Sequence, residues 1–117
     1  MKRISFSLTK EQLLDGTKTV TRRLGWKNAK RGDTYLAVSK CMGLKPGERA
    51  EVYGTVTVLD VRRESLSAIR LADVSLEGFD LTPSAFVAMF CRAMKCEPNA
   101  EVTRIKFAFT ARSEAKP

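Results

Sequence analysis

Histidine is absent from this 117-residue sequence. That removes every mechanism in which an imidazole activates a serine or a cysteine, and every metal site that needs a histidine ligand. Cysteine is scarce: Cys41, Cys91 and Cys96. An odd count with no Cys-x-x-Cys pair argues against a disulfide framework. A metal would have to rest on thiols and carboxylates alone, so neither a metal nor an organic cofactor is expected. Cys91 is expected in the core, and the other two as partly exposed thiols. Long apolar runs are also missing, which excludes a membrane-spanning segment and a membrane partner. Lys2 and Arg3 are followed by no apolar stretch, so no signal peptide is expected and the cytoplasm is the expected location.

What is present reads as one globular domain. Hydrophobic residues make up 44% and charged residues 29%. The domain is expected to span 1–112, with 113–117 as a frayed tail. Lys and Arg outnumber Asp and Glu by 21 to 13, a net charge of +8. The cations cluster at 2–3, 22–23, 27–31 and 62–63. A field of that sign attracts phosphate-rich partners, and it also keeps a protein soluble.

Apolar periodicity sets the elements. Ile4, Phe6 and Leu8 alternate with polar residues, which predicts a strand. Thr9 stands three residues before Gln12, a capping-box pattern for a short helix through Glu11 to Leu14, with Gly16 as its left-handed stop. Lys18 to Leu24, Thr34 to Val38 and Ala50 to Val61 read as strands. Gly54 inside the third marks a bulge or bend. A helix is expected over Ile69 to Val74. Thr82-Pro83 opens another, with Leu81 and Phe86 as its staple and Phe86, Met89, Phe90 and Ala93 on a core face. Ile105, Phe107 and Phe109 alternate in a last strand. The sum is an α+β fold: a small barrel of about five strands with two or three flanking helices.

Gly16 to Arg23, GTKTVTRR, gathers three Thr, one Lys and two Arg just after a helix stop. Repulsion from Arg22 and Arg23, with burial, pulls the Lys18 pKa down. A neutral lysine is a general base for a threonine hydroxyl. The arginines suit a phosphate or a base carbonyl. The plain alternative is an exposed strand rich in threonine. In a regular strand Lys18 and Thr21 face opposite ways, so they share a site only if the strand starts, turns or bulges between them. Trp26, Lys27, Lys30 and Arg31 place an aromatic among cations, a pattern that stacks a base and holds phosphate. The alternative is that Trp26 covers one end of the barrel.

Gly-x-Lys-Thr-x-Thr-x-Arg, then Gly32-Asp33, then Glu77-Gly78-Phe79, then the Phe-rich last strand, resembles the ASCH domain family over about Ile4 to Phe109. ASCH domains occur in bacteria and in many phage genomes. The resemblance implies a PUA-like fold and RNA binding. It is also a likeness to small members that deacetylate N(4)-acetylcytidine with a Lys, a Thr and a later Glu. Carried over, these are Lys18, Thr21 and Glu77. The chain departs from those members in a longer stretch before the Gly-Asp turn, an extra Cys41 to Glu48 loop, and Arg23 beside Arg22.

Three functions follow as expectations. The first is binding of RNA, a nucleoside or a nucleotide in a cleft around Lys18, Thr21, Arg22, Arg23 and Glu77, with Trp26, Lys27, Lys30 and Arg31 beside it. The second is amide hydrolysis of an acylated nucleoside through Lys18, Thr21 and Glu77. The third is a phage-type factor that engages an acidic protein.

Overall fold

A computed structural model describes residues 1–41 and 43–112. The expected tail, 113–117, lies outside the described residues. The elements run β1 (Arg3–Ser5), α1 (Lys10–Asp15), β2 (Val20–Arg23), β3 (Thr34–Val38), β4 (Val52–Ser65), a single 3-10 turn (Leu66–Ala68), α2 (Leu71–Leu76), α3 (Pro83–Met94) and β5 (Glu101–Ala111). The five strands form one sheet in the order β1-β3-β4-β5-β2. Only β1 and β3 pair in parallel; the other pairs are antiparallel. The sheet curls into a half-barrel. Among the described residues, no ladder joins its two edges, β1 and β2. The fold class expected from the sequence, a small PUA-like α+β domain, is the fold observed.

Two apolar clusters hold the sheet. Ile4, Phe6, Leu13, Val56, Val58, Ile105 and Phe107 fill the inside of the curl. Leu66, Ile69, Val74, Phe86, Phe90 and Val102 pack α2 and α3 against one end of the sheet. Burying a side chain of this size stabilises by roughly 1.5–3 kcal/mol. The long β4 and β5 twist through a bulge at Leu59, where the register shifts between Val58 and Asp60. A second shift opposes Ala37–Val38, next to Gly54. A Cβ at Gly54 would strike the Thr110 carbonyl oxygen and come within 2.9 Å of the Phe109 ring. Glycine is required there by close backbone approach.

Local chemistry explains most boundaries, and it also corrects several. Gly16 ends α1 in the left-handed conformation, with its N–H donating to Leu13 O. Thr9 is the N-cap of α1, but its side chain makes no capping bond. At α3, Thr82 Oγ1 accepts from Ala85 N at 3.1 Å and Pro83 fills the first helical position. Leu81 and Phe86 both belong to the second cluster. β1 stops at Ser5, so Leu8 is not a strand residue and is 69% exposed. The helix expected from Ile69 begins two residues later, at Leu71, because Ile69 and Arg70 are extended. Cys91 is half-buried rather than a core residue; Cys96 is likewise half-buried and Cys41 exposed. Among the described residues, no helix is long and apolar enough to cross a membrane.

Candidate functional site

β2 begins at Val20, not at Lys18. This two-residue correction decides whether the motif can work as a site. Lys18 lies outside the strand, so alternation no longer separates it from Thr21. Its segment is held by Lys18 N to Gln12 O at 3.0 Å and Thr19 N to Leu76 O at 2.9 Å. The second bond ties the motif to the end of α2. Gly78 then turns the chain at φ +95°, and a Cβ there would press on Gln12 at 2.9 Å. Glu77 is thereby delivered to Lys18.

Lys18, Thr21 and Glu77 converge on one pocket, of about 270 Å³. All three are buried, at 3–4% exposure. Lys18 Nζ donates to Glu77 O at 2.7 Å and to Glu77 Oε1 at 3.2 Å. Arg23 Nε donates to Thr21 Oγ1 at 3.0 Å, and Arg23 Nη2 reaches Ser5 O on β1. The pocket therefore opens at the seam of the half-barrel, between the two unpaired edges. Its other wall is apolar: Phe6, Phe79, Phe86, Met89 and Phe90. The α3 face expected to be core is thus partly this wall, and Ala93 on it is exposed to the pocket.

Burial is the main cause of a lowered Lys18 pKa; Glu77 opposes it, and Arg23 and Arg22 add to it by repulsion. The order of causes differs from the expectation, which put the arginines first. Arg23 is brought down to about 10, again by burial, against the attraction of Glu77. It remains a cation at neutral pH. It also has no carboxylate within 4.0 Å among the described residues.

Arg22 is placed differently. In the sheet it stands opposite Arg104, which stands opposite Arg62. Three cations in register would destabilise a sheet. Carboxylates cover them. Arg22 Nη2 donates to Glu64 Oε2 at 2.8 Å and to Asp73 Oδ2 at 2.6 Å, and its Nη1 donates to Glu77 Oε2 at 3.0 Å. Arg104 Nε shares Asp73 Oδ2 at 2.7 Å, and Arg62 Nε takes Glu64 Oε1 at 2.9 Å. Burial works against charge on Arg22, but its bonds to Asp73, Glu64 and Glu77 outweigh that and raise its pKa. The bond from Arg104 leads in holding Asp73 down at about 2, with Arg22 adding to it. Sequence reasoning missed Glu64, Asp73 and Arg104. For Glu64 and Arg104 the signal available was a charged residue inside a strand; Asp73, on α2, gave none.

The remaining expected ligand residues stand apart from the pocket. Trp26 is half-buried on the first core cluster, edge-on to Tyr35 at 5.1 Å, with Lys2 Nζ 4.1 Å from its ring centroid. It covers an end of the half-barrel. Lys27, Lys30 and Arg31 are exposed beside it and do not line the pocket. Tyr35 is buried too, and its hydroxyl donates to Asp33 Oδ2 at 3.0 Å. No group of three or more thiols and carboxylates suited to a metal occurs among the described residues.

No protein-family model and no curated protein matches the sequence. Solved structures do. An ASCH domain from Lactobacillus crispatus superposes with a TM-score of 0.61 over 95% of this chain and 80% of that one, at 10% identity. The fold is that of ASCH domains. An ASCH protein from Zymomonas mobilis matches over 91% of this chain and 66% of its own, with a TM-score of 0.59 and 14% identity. A protein from Enterococcus faecalis of the DUF984 family covers 99% of this chain and 84% of its own, with a TM-score of 0.69 and 11% identity. At 10–14% identity the likeness is one of architecture and does not extend to chemistry.

Proposed function

We propose that the pocket binds one nucleoside, or one unstacked nucleotide base carried on RNA. The observation that supports this is the pairing of an aromatic wall with a compact polar end. Phe79, Met89 and Phe90 give that wall apolar surface for a planar ring. Lys18, Thr21 and Arg23 offer donors to its carbonyl, and Glu77 an acceptor. A volume of about 270 Å³ suits a single base and sugar rather than a longer segment. Lys27, Lys30 and Arg31 then serve the phosphates of a longer ligand. Calorimetric titration with cytidine, uridine, adenosine, guanosine and N(4)-acetylcytidine tests the reading. Saturable binding of at least one, weakened tenfold or more by Lys18→Ala, supports it. Binding of none overturns it.

A second reading is amide hydrolysis of an acylated nucleoside. It is favoured by a buried amine of lowered pKa in the same pocket as a hydroxyl. Thr21 Oγ bonds to the acyl carbon and gives its proton to Lys18. The C–N bond breaks, and the amine leaves with a proton returned by Lys18. Water then cleaves the acyl ester, releasing the acid and restoring Thr21. Both Glu77 oxygens accept hydrogen bonds from cations, so Glu77 orients the amine. Arg23 supports the oxyanion. Chromatography of N(4)-acetylcytidine after incubation reads the outcome directly. Absence of cytidine and acetate, or undiminished release with Lys18→Ala, removes this reading.

A further inference from the structure

Arg22 lines the pocket between Thr21 and Arg23, yet two of its three carboxylate partners, Glu64 and Asp73, lie outside it. Its side chain is 1% exposed. Nη1 meets Glu77 Oε2, while Nε and Nη2 meet Glu64 and Nη2 also meets Asp73. The guanidinium is fixed from behind by β4 and α2, and only one of its edges reaches Glu77. Glu77 Oε2 is thus occupied, and Oε1 is the oxygen bonded to Lys18. A planar fork with three anchors is a rigid device, and a lysine ammonium has no equivalent geometry.

We propose that Arg22 is a positioning residue that clamps Glu77 Oε2, so that Oε1 alone is presented to Lys18 and the pocket. The role rests on the nucleoside-pocket reading for its purpose, but not for its physics. Arg22 itself reads no ligand. It makes the carboxylate a fixed acceptor, and through that carboxylate it sets where the Lys18 amine points. The charged groups that bear on Glu77 are Lys18 before β2 and Arg22 and Arg23 on β2. Arg22 and Lys18 touch the carboxylate directly.

The experiment is a set of ligand-free crystal structures of wild type, Arg22→Met, Arg22→Lys and Asp73→Asn, read at the Glu77 carboxylate and the Lys18 amine. Arg22→Met is expected to move the carboxylate by more than about 0.5 Å, the tolerance of a positioned group, and to break the bond from Lys18 to Oε1. Arg22→Lys restores part of the placement. Asp73→Asn leaves the Arg22–Glu77 bond and the carboxylate in place. A Glu77 carboxylate that superposes on wild type in a folded Arg22→Met overturns the proposal. If Arg22→Met does not fold, a carboxylate that superposes on wild type in Arg22→Lys overturns it equally. The structures need no ligand. Nucleosides that fail to bind a protein showing the displacement sink the pocket reading alone; nucleosides that bind a protein lacking the displacement sink the clamp alone.

Discussion

Lys18 meets Glu77 twice across 59 positions of sequence: its amine caps the main-chain carbonyl at 2.7 Å and pairs with the carboxylate at 3.2 Å. One bond is to the last turn of α2 and the other is to the pocket. The side chain therefore fastens a short helix and forms part of the polar end at once. Structure and site are coupled in that single residue.

Lys18→Ala is expected to cost about 3–5 kcal/mol, the range for breaking a buried ion pair on one side. Lys18→Met keeps the stem volume, and Glu77 keeps Arg22, so its cost is expected near the low end of that range. Urea unfolding of both variants measures the difference. Equal losses would show that packing of the stem contributes nothing.

Acid should strip stability through Asp73. Its carboxyl is ordinarily near 3.8 and is held at about 2 in the fold, first by the Arg104 bond. A depressed acid contributes fully above its unfolded value and loses the contribution as pH falls through the folded value. The gap corresponds to roughly 2 kcal/mol present at pH 5 and gone near pH 1. Asp73→Asn should be less stable at neutral pH and flatter between pH 4 and pH 2. Denaturation midpoints across that range decide it.

Gly54→Ala is expected to destabilise by about 3 kcal/mol, the upper end of the usual overpacking range, since backbone rather than a flexible side chain blocks the new methyl group. Thermal melting reads the loss. A melt within 2 °C of wild type would mean that β5 can move away from β4 at this point.

Replacing Lys27, Lys30 and Arg31 together by Gln should leave single-nucleoside affinity unchanged. It should reduce the salt dependence of single-stranded RNA binding by about 2 in the log–log slope, at about 0.7 per phosphate contact. Titrations at several salt concentrations test both halves. An unchanged slope would confine RNA contacts to other surfaces.

Much of the fold was legible because period and punctuation agreed. Thr82-Pro83, Gly16 and the Ile105-Phe107-Phe109 alternation each carry one local meaning, and each appears as expected. The convergence of Lys18, Thr21 and Glu77 followed from the family resemblance and needed only a strand that starts late. The Arg22 clamp was not legible. Its three carboxylates come from β4, from α2 and from Glu77 just after α2, and the packing that gathers them is a tertiary property that no local pattern encodes. Arg22 and Arg23 look interchangeable as letters. Both line the pocket, but strand alternation gives Arg22 the carboxylate cluster and Arg23 the Thr21 hydroxyl and the Ser5 carbonyl. Trp26 went to the barrel end because a large ring gains more from covering core than from waiting for a base.

The two sheet edges are spanned at the pocket by the Arg23 guanidinium on Ser5, not by a row of main-chain bonds. Among the described residues that bond is the one hydrogen bond between β1 and β2, so parting them there spares every ladder in the sheet. The width of the hollow is thereby set by a side chain and not by strand pairing.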